Sequence, residues 1–134
     1  MPDADPRLFL TFVALKIIMS KSNINIEVEL DDNRMPVGIS WDATEGADKR
    51  QAAKAMMLSL WDGADKAALR IDLWTQKMMV DEMADFYYQT LMTMADTFGR
   101  ATKQNELVDD MKKFAQEFLR KFNEKQVQQN KLEQ

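Results

Sequence analysis

The chain has 134 residues, 46% of them hydrophobic and 30% charged, a balance that suits one folded domain and excludes wholesale disorder. It contains no cysteine and no histidine, which removes disulfides, thiolate and imidazole metal ligands, and nucleophilic Ser-His or Cys-His pairs. The net charge is −4, with 18 basic residues dispersed among 22 acidic ones; no basic stripe is present, so nucleic acid is not an expected partner.

An apolar run, Leu8–Ile18, lies near the start of the sequence. It is interrupted by Lys16 and falls well short of the roughly 20 apolar residues that a spanning helix needs, so no membrane span is expected. The preceding MPDADPR carries two acids and one Arg, not the basic start of a signal peptide. Met19-Ser20-Lys21 reads as a natural start. On that reading residues 1–19 are a non-native N-terminal extension, residues 20–122 form a single α+β domain, and residues 123–134 are a polar, Gln-rich tail.

Asn23–Leu30 alternates cleanly, with Ile24, Ile26, Val28 and Leu30 on one face and Asn23, Asn25, Glu27 and Glu29 on the other, as in a half-buried strand. Asp31-Asp32-Asn33-Arg34 is turn chemistry, and Pro36 cannot donate to a ladder. A second strand over Val37–Trp41 completes an antiparallel hairpin. After a polar linker, Ala53, Met56, Met57 and Leu60 recur at three- and four-residue steps, which predicts a first helix over Asp48–Trp61, stopped by Asp62-Gly63. Ala68–Thr75 alternates again, with Leu69, Ile71 and Leu73 inward and Arg70, Asp72 and Trp74 outward.

A second helix is expected over Asp81–Ala101, with Asp81 as its N-cap and Met83, Tyr87, Leu91, Met94 and Phe98 as its buried stripe. A third, over Glu106–Phe122, has the clearest period: Leu107, Met111, Phe114, Phe118 and Phe122, with acids at its start and bases at its end. The predicted fold is α+β, a three-stranded antiparallel sheet with three helices in the order β-β-α-β-α-α. A right-handed crossover would give strand order 2-1-3.

Chemistry is sparse in this sequence. The carboxylate pairs Asp31-Asp32 and Asp109-Asp110 sit in a turn and in a first helical turn, where structural roles suffice. An EF-hand loop starting at Asp31 fails, because Pro36 and Asp42 stand where Gly and Glu are required. Glycines at 38, 46, 63 and 99 only leave neither a P-loop nor a dinucleotide fingerprint. No catalytic residue, metal site or cofactor is expected. Two features suit contact with another polypeptide. Eleven methionines fit either adaptable core filling or a plastic groove. Arg70, Asp72 and Trp74, with Phe86 and Tyr88, form the candidate interaction surface, since Trp and Arg are enriched at binding hot spots.

The stretches KAMMLSLWD, LRIDLWT and DEMADFYYQTLMTMADTFGRAT, within Ser20–Phe122, resemble the gliding motility protein GldC family. The resemblance implies a soluble, cytoplasmic accessory protein that docks onto protein partners of the gliding or envelope machinery, alone or as a homodimer, and is not an enzyme. A secretion-chaperone-like, client-binding role is the alternative, and an enzyme of unknown type comes after it. No active-site residue carries over from the resemblance.

Overall fold

The alternating run near residue 24 forms an antiparallel hairpin, as its period demands. Strands β1 (Ile24–Leu30) and β2 (Pro36–Ala43) pair with Ile26 opposite Trp41 and Val28 opposite Ile39. Asp31 builds the connection: its Oδ1 accepts the N–H groups of Asn33 and Met35, each at 2.9 Å. Arg34 takes a left-handed conformation, φ 61°. Pro36 falls at the first position of β2, where a missing N–H costs the ladder least. This computed structural model describes residues 20–134; the Leu8–Ile18 run and the extension over residues 1–19 lie outside them.

The segment expected to be the first helix is instead two strands. β3 covers Ala47–Ala53 and β4 covers Ala55–Asp62, with Lys54 alone between them. Gly46, at φ 86°, makes the turn from β2 into β3. β3 pairs with β2 (Trp41 opposite Gln51), so the sheet order is β1-β2-β3 with β2 central. β4 pairs with β5 (Ala67–Trp74) in unbroken register, from Ala55 opposite Trp74 to Asp62 opposite Ala67. The predicted crossover and 2-1-3 order therefore give way to consecutive antiparallel pairings in sheets of three and two strands. Asp62-Gly63 is a hairpin turn, not a helix stop. Asp62 Oδ1 accepts from the N–H groups of Ala64 and Asp65 at 2.9 and 3.2 Å.

The physical reason for the error lies in residues 53–61. Apolar residues at 53, 56, 57 and 60 match a helix, and alanine favours one. Met56, Leu58 and Leu60 match a strand equally well, and short apolar runs do not separate the two by period alone. Pairing with the alternating β5 settles the competition.

The three-stranded sheet keeps the polar face that the sequence announces. Arg50 of β3 reaches across β2 to β1: its Nε donates to Ser40 Oγ at 3.0 Å, its Nη1 meets Asp42 Oδ2 at 2.9 Å, and its Nη2 meets Glu27 Oε2 at 2.6 Å. Ile39, at 4% exposure, anchors the opposite face. Ile24, Ile26 and Leu30 stay exposed, so the first strand is less covered than its alternation suggests.

The described residues fall into two compact units, one ending at Thr75 and the other beginning at Gln76. The second is a helical hairpin of α1 (Val80–Thr102) and α2 (Asn105–Leu132). Two helices are thus present among the described residues, not three. Met79, not Asp81, occupies the N-cap position of α1, while Asp81 and Glu82 lie in its first turn, where the helix dipole favours acids. Lys103 ends α1 in a left-handed conformation, and its N–H donates to Gly99 O at 2.9 Å. α2 continues past Phe122 to Leu132, through Gln, Lys and Glu residues that are good helix formers.

The buried residues of the two helices are alanines: Ala84 and Ala95 of α1 and Ala115 of α2, the last two completely buried. Lys112 Nζ meets Asp96 Oδ1 across the hairpin at 2.6 Å. With alanines in the buried positions, the expected stripes turn partly outward. Tyr87 and Met94 of α1, and Leu107 and Phe114 of α2, are exposed, whereas Leu91, Phe98, Met111, Phe118 and Phe122 are half-buried.

Candidate interaction surface

Pleating sorts the β4–β5 hairpin into two faces of different chemistry. One carries Met56, Leu58 and Leu60 of β4 against Leu73, Ile71 and Leu69 of β5. The other carries Ala55, Met57, Ser59 and Trp61 against Trp74, Asp72, Arg70 and Ala68. The three strand residues singled out in the sequence therefore do share a face. The pair in the middle is bidentate: Arg70 Nε donates to Asp72 Oδ2 at 3.1 Å and Arg70 Nη2 to Asp72 Oδ1 at 2.8 Å. Trp74 is 61% exposed beyond it.

A residue the sequence reading missed lies at the far end. Trp61 is 69% exposed and sits opposite Ala68. At about 3.4 Å per residue the two indoles are about 20 Å apart along the hairpin, with the Arg70–Asp72 pair and the Met57 and Ser59 side chains between them. The alternation Leu58-Ser59-Leu60-Trp61 was the available signal, and assigning the segment to a helix concealed it.

Phe86 and Tyr88 belong to the helical unit. Both are half-buried on α1, while Tyr87 between them is exposed. The same helix bears a shallow groove lined by Thr93, Met94, Thr97, Phe98 and Ala101, with Met111 from α2. Thr93 and Thr97 donate their hydroxyls to the carbonyls of Gln89 and Thr93, at 2.9 and 3.1 Å. Their hydrogens are used within the helix, which leaves the groove apolar in character.

Glu117 and Arg120 of α2 have clearly displaced acid–base equilibria. Hydrogen bonds from Arg120 hold the Glu117 carboxyl below its ordinary range, and the same bonds push the guanidinium upward. This is an exposed ion pair, completed by Glu124, and not a carboxylate displaced by a cleft. Among the described residues no group of three acidic side chains is placed to hold a metal ion. No helix among them is long and apolar enough to cross a membrane.

A family model for gliding motility-associated, GldC-like proteins matches residues 36–124, from the start of β2 well into α2. The chain belongs to the GldC-like family. No curated protein and no solved structure matches it. The family description names an association with motility and no reaction. The matched part of this GldC-like chain includes both tryptophans of the β4–β5 hairpin and the first 20 or so residues of α2, whereas β1 lies before it.

Proposed function

We propose that this GldC-like protein is a cytoplasmic accessory component of bacterial gliding motility that works by docking onto other proteins, not by turnover of a substrate. The observation that carries the reading is the β4–β5 face: two largely exposed indoles bracket a bidentate Arg–Asp pair. Burying such a Trp removes a large apolar area from water and supplies a rigid anchor. The Arg–Asp pair between them gives direction to a contact that apolar area alone leaves unoriented. Phe86 and Tyr88 are a secondary candidate on the helical unit. Partners are sought in the gliding or envelope machinery, with no part for nucleic acid.

The test is affinity capture from a gliding relative's lysate, comparing the unaltered chain with Trp74→Ala and Trp61→Ala. The expected result is loss of the same machinery components in both variants with unchanged circular dichroism. Capture that survives both substitutions removes this face from the reading.

A secretion-chaperone-like role draws support from the opposite face of the same hairpin, where Leu60, Leu69 and Ile71 are exposed. An unfolded client peptide that competes for Leu69 or Ile71, and leaves Trp74 fluorescence unchanged, favours that alternative.

A further inference from the structure

Among the described residues β5 pairs with β4 alone. The direction of its outer edge follows from one hydrogen bond. Thr75 N–H donates to Lys54 O at 2.8 Å, so the backbone groups of residue 75 point toward the β4 side. The register is unbroken, and antiparallel strands alternate. Ala67, Leu69, Ile71 and Leu73 therefore direct their backbone groups to β4, and Ala68, Arg70, Asp72 and Trp74 direct theirs outward.

That edge is self-complementary. Reading out from Ile71 in both directions gives Arg70 and Asp72, then Leu69 and Leu73, then Ala68 and Trp74. Charge is opposite at the first step, and apolar character matches at the other two. The strand contains no proline, lysine or bulge; its edge charges, Arg70 and Asp72, are opposite in sign, so they guard against other pairings without opposing this one.

We propose that β5 is the seam of a homodimer, pairing antiparallel with β5 of a second copy about a two-fold axis at Ile71. In this register Arg70 faces Asp72 of the second copy, and both are outward-directed residues, so their backbone groups close hydrogen-bonded pairs. Ile71 faces its own symmetry mate in the non-hydrogen-bonded position between them, where Cα atoms approach more closely. Leu69 packs across from Leu73 on one face, and Ala68 from Trp74 on the other. The two hairpins become one four-stranded sheet, and the contact is isologous, as a two-fold requires. Sliding the centre to Arg70 or to Asp72 sets like charges directly opposite, which is destabilising. The charge pattern thus disfavours the two nearest alternative registers, and the symmetric reading about Ile71 favours a second copy as the occupant. The seam shares Arg70, Asp72 and Trp74 with the docking face, but Trp61 lies on β4, off the seam: loss of capture in Trp61→Ala with the dimer retained, or loss of the dimer with capture retained, separates the two roles.

The test uses the full chain and two kinds of variant, with mass measured by light scattering and analytical ultracentrifugation. Arg70→Asp and Asp72→Arg each set like charges across the seam in a homodimer. Each is expected to run as a monomer where the unaltered chain is a dimer. An equimolar mixture of the two is expected to regain the dimer, because every cross-strand pair is then opposite in sign. The chain has no cysteine, so a single introduced thiol reports its own neighbour. Ile71→Cys places two Cα atoms about 4.5 Å apart, within disulfide range, and is expected to oxidise to a covalent dimer. Leu69→Cys places them about 13 Å apart and is expected not to. A monomeric unaltered chain at every accessible concentration overturns the proposal. So does a mixture that stays monomeric while Ile71→Cys fails to cross-link.

Discussion

A Cβ placed on Gly99 would lie 3.0 Å from Val108 Cγ2, so α1 and α2 approach closely here, near their turn. Two effects of Gly99→Ala oppose each other. Alanine gains roughly 1 kcal/mol of helix propensity over glycine. The added methyl pushes on a β-branched side chain with little rotamer freedom, and overpacking costs about 1–3 kcal/mol. The expected net result is destabilisation by about 1 kcal/mol. In a Val108→Ala background the clash is gone, and the same change stabilises by roughly 0.5–1 kcal/mol. A denaturant double-mutant cycle reads the difference directly; equal effects in both backgrounds contradict the close packing.

Arg50 ties three strands together from one side chain, through Glu27, Ser40 and Asp42. Exposed ion pairs contribute little singly, and this one gains from its fixed fork geometry and from being a network. Arg50→Ala is expected to cost about 1 kcal/mol, reduced at high salt. Arg50→Lys is expected to recover less than half, because one ammonium cannot serve the Ser40 and Asp42 directions as Nε and Nη1 do. Urea midpoints at low and high ionic strength check both statements, and a lysine variant as stable as the unaltered chain refutes the second.

Phe114 and Phe118 are one turn apart on α2 and differ in environment. Phe114 is exposed, whereas Phe118 is half-buried beside Phe122. Full enclosure would make Phe118→Ala cost about 3–5 kcal/mol; half-burial brings the expectation to about 2 kcal/mol. Phe114→Ala is expected within about 0.5 kcal/mol of the unaltered chain, as for an ordinary surface substitution. Thermal or chemical denaturation separates them. Reversal of the order, with Phe114 the costlier residue, would mean that Phe114 is covered in solution by a surface this chain alone does not provide.

How far these features were legible depends on whether local pattern and long-range pairing agree. They agree in β1, where Ile24, Ile26 and Val28 alternate with Asn25, Glu27 and Glu29, and in the turn that Asp31 caps. They agree in α1 and α2, whose ends fall within a few residues of the expected ones except at the polar C-terminus. They disagree at Ala53–Trp61, where alanine and methionine at helical spacing masked a strand defined by its partner. That error cost the topology and hid Trp61 and Met57 behind a helix that is not there. Arg70, Asp72 and Trp74 survived because their own strand alternates. Arg50 was passed over for a different reason: its three partners lie on two other strands, and no local spacing announces a contact that only strand order creates.

Glu117 and Arg120 give α2 a specific acid response. Hydrogen bonds from Arg120 are the main cause of the lowered Glu117 pKa, with burial opposing them and the charges of Arg120 and Lys121 assisting. The carboxyl is an exposed one, so the effect is local to the helix. In the unfolded chain the same carboxyl titrates in the ordinary glutamate range. The folded state therefore holds fewer protons between the two values. Its contribution to stability is fully present above the ordinary value and is lost as pH falls through the lowered one. Carboxyl-detected NMR is expected to place the Glu117 midpoint below that of a model glutamate, and to move it upward in Arg120→Ala. In Glu117→Gln the acid limb of helix unfolding is expected to flatten, since no charge remains there to neutralise. A Glu117 midpoint that does not respond to Arg120→Ala assigns the lowered value to another neighbour, with Lys121, 3.8 Å away, the next to substitute.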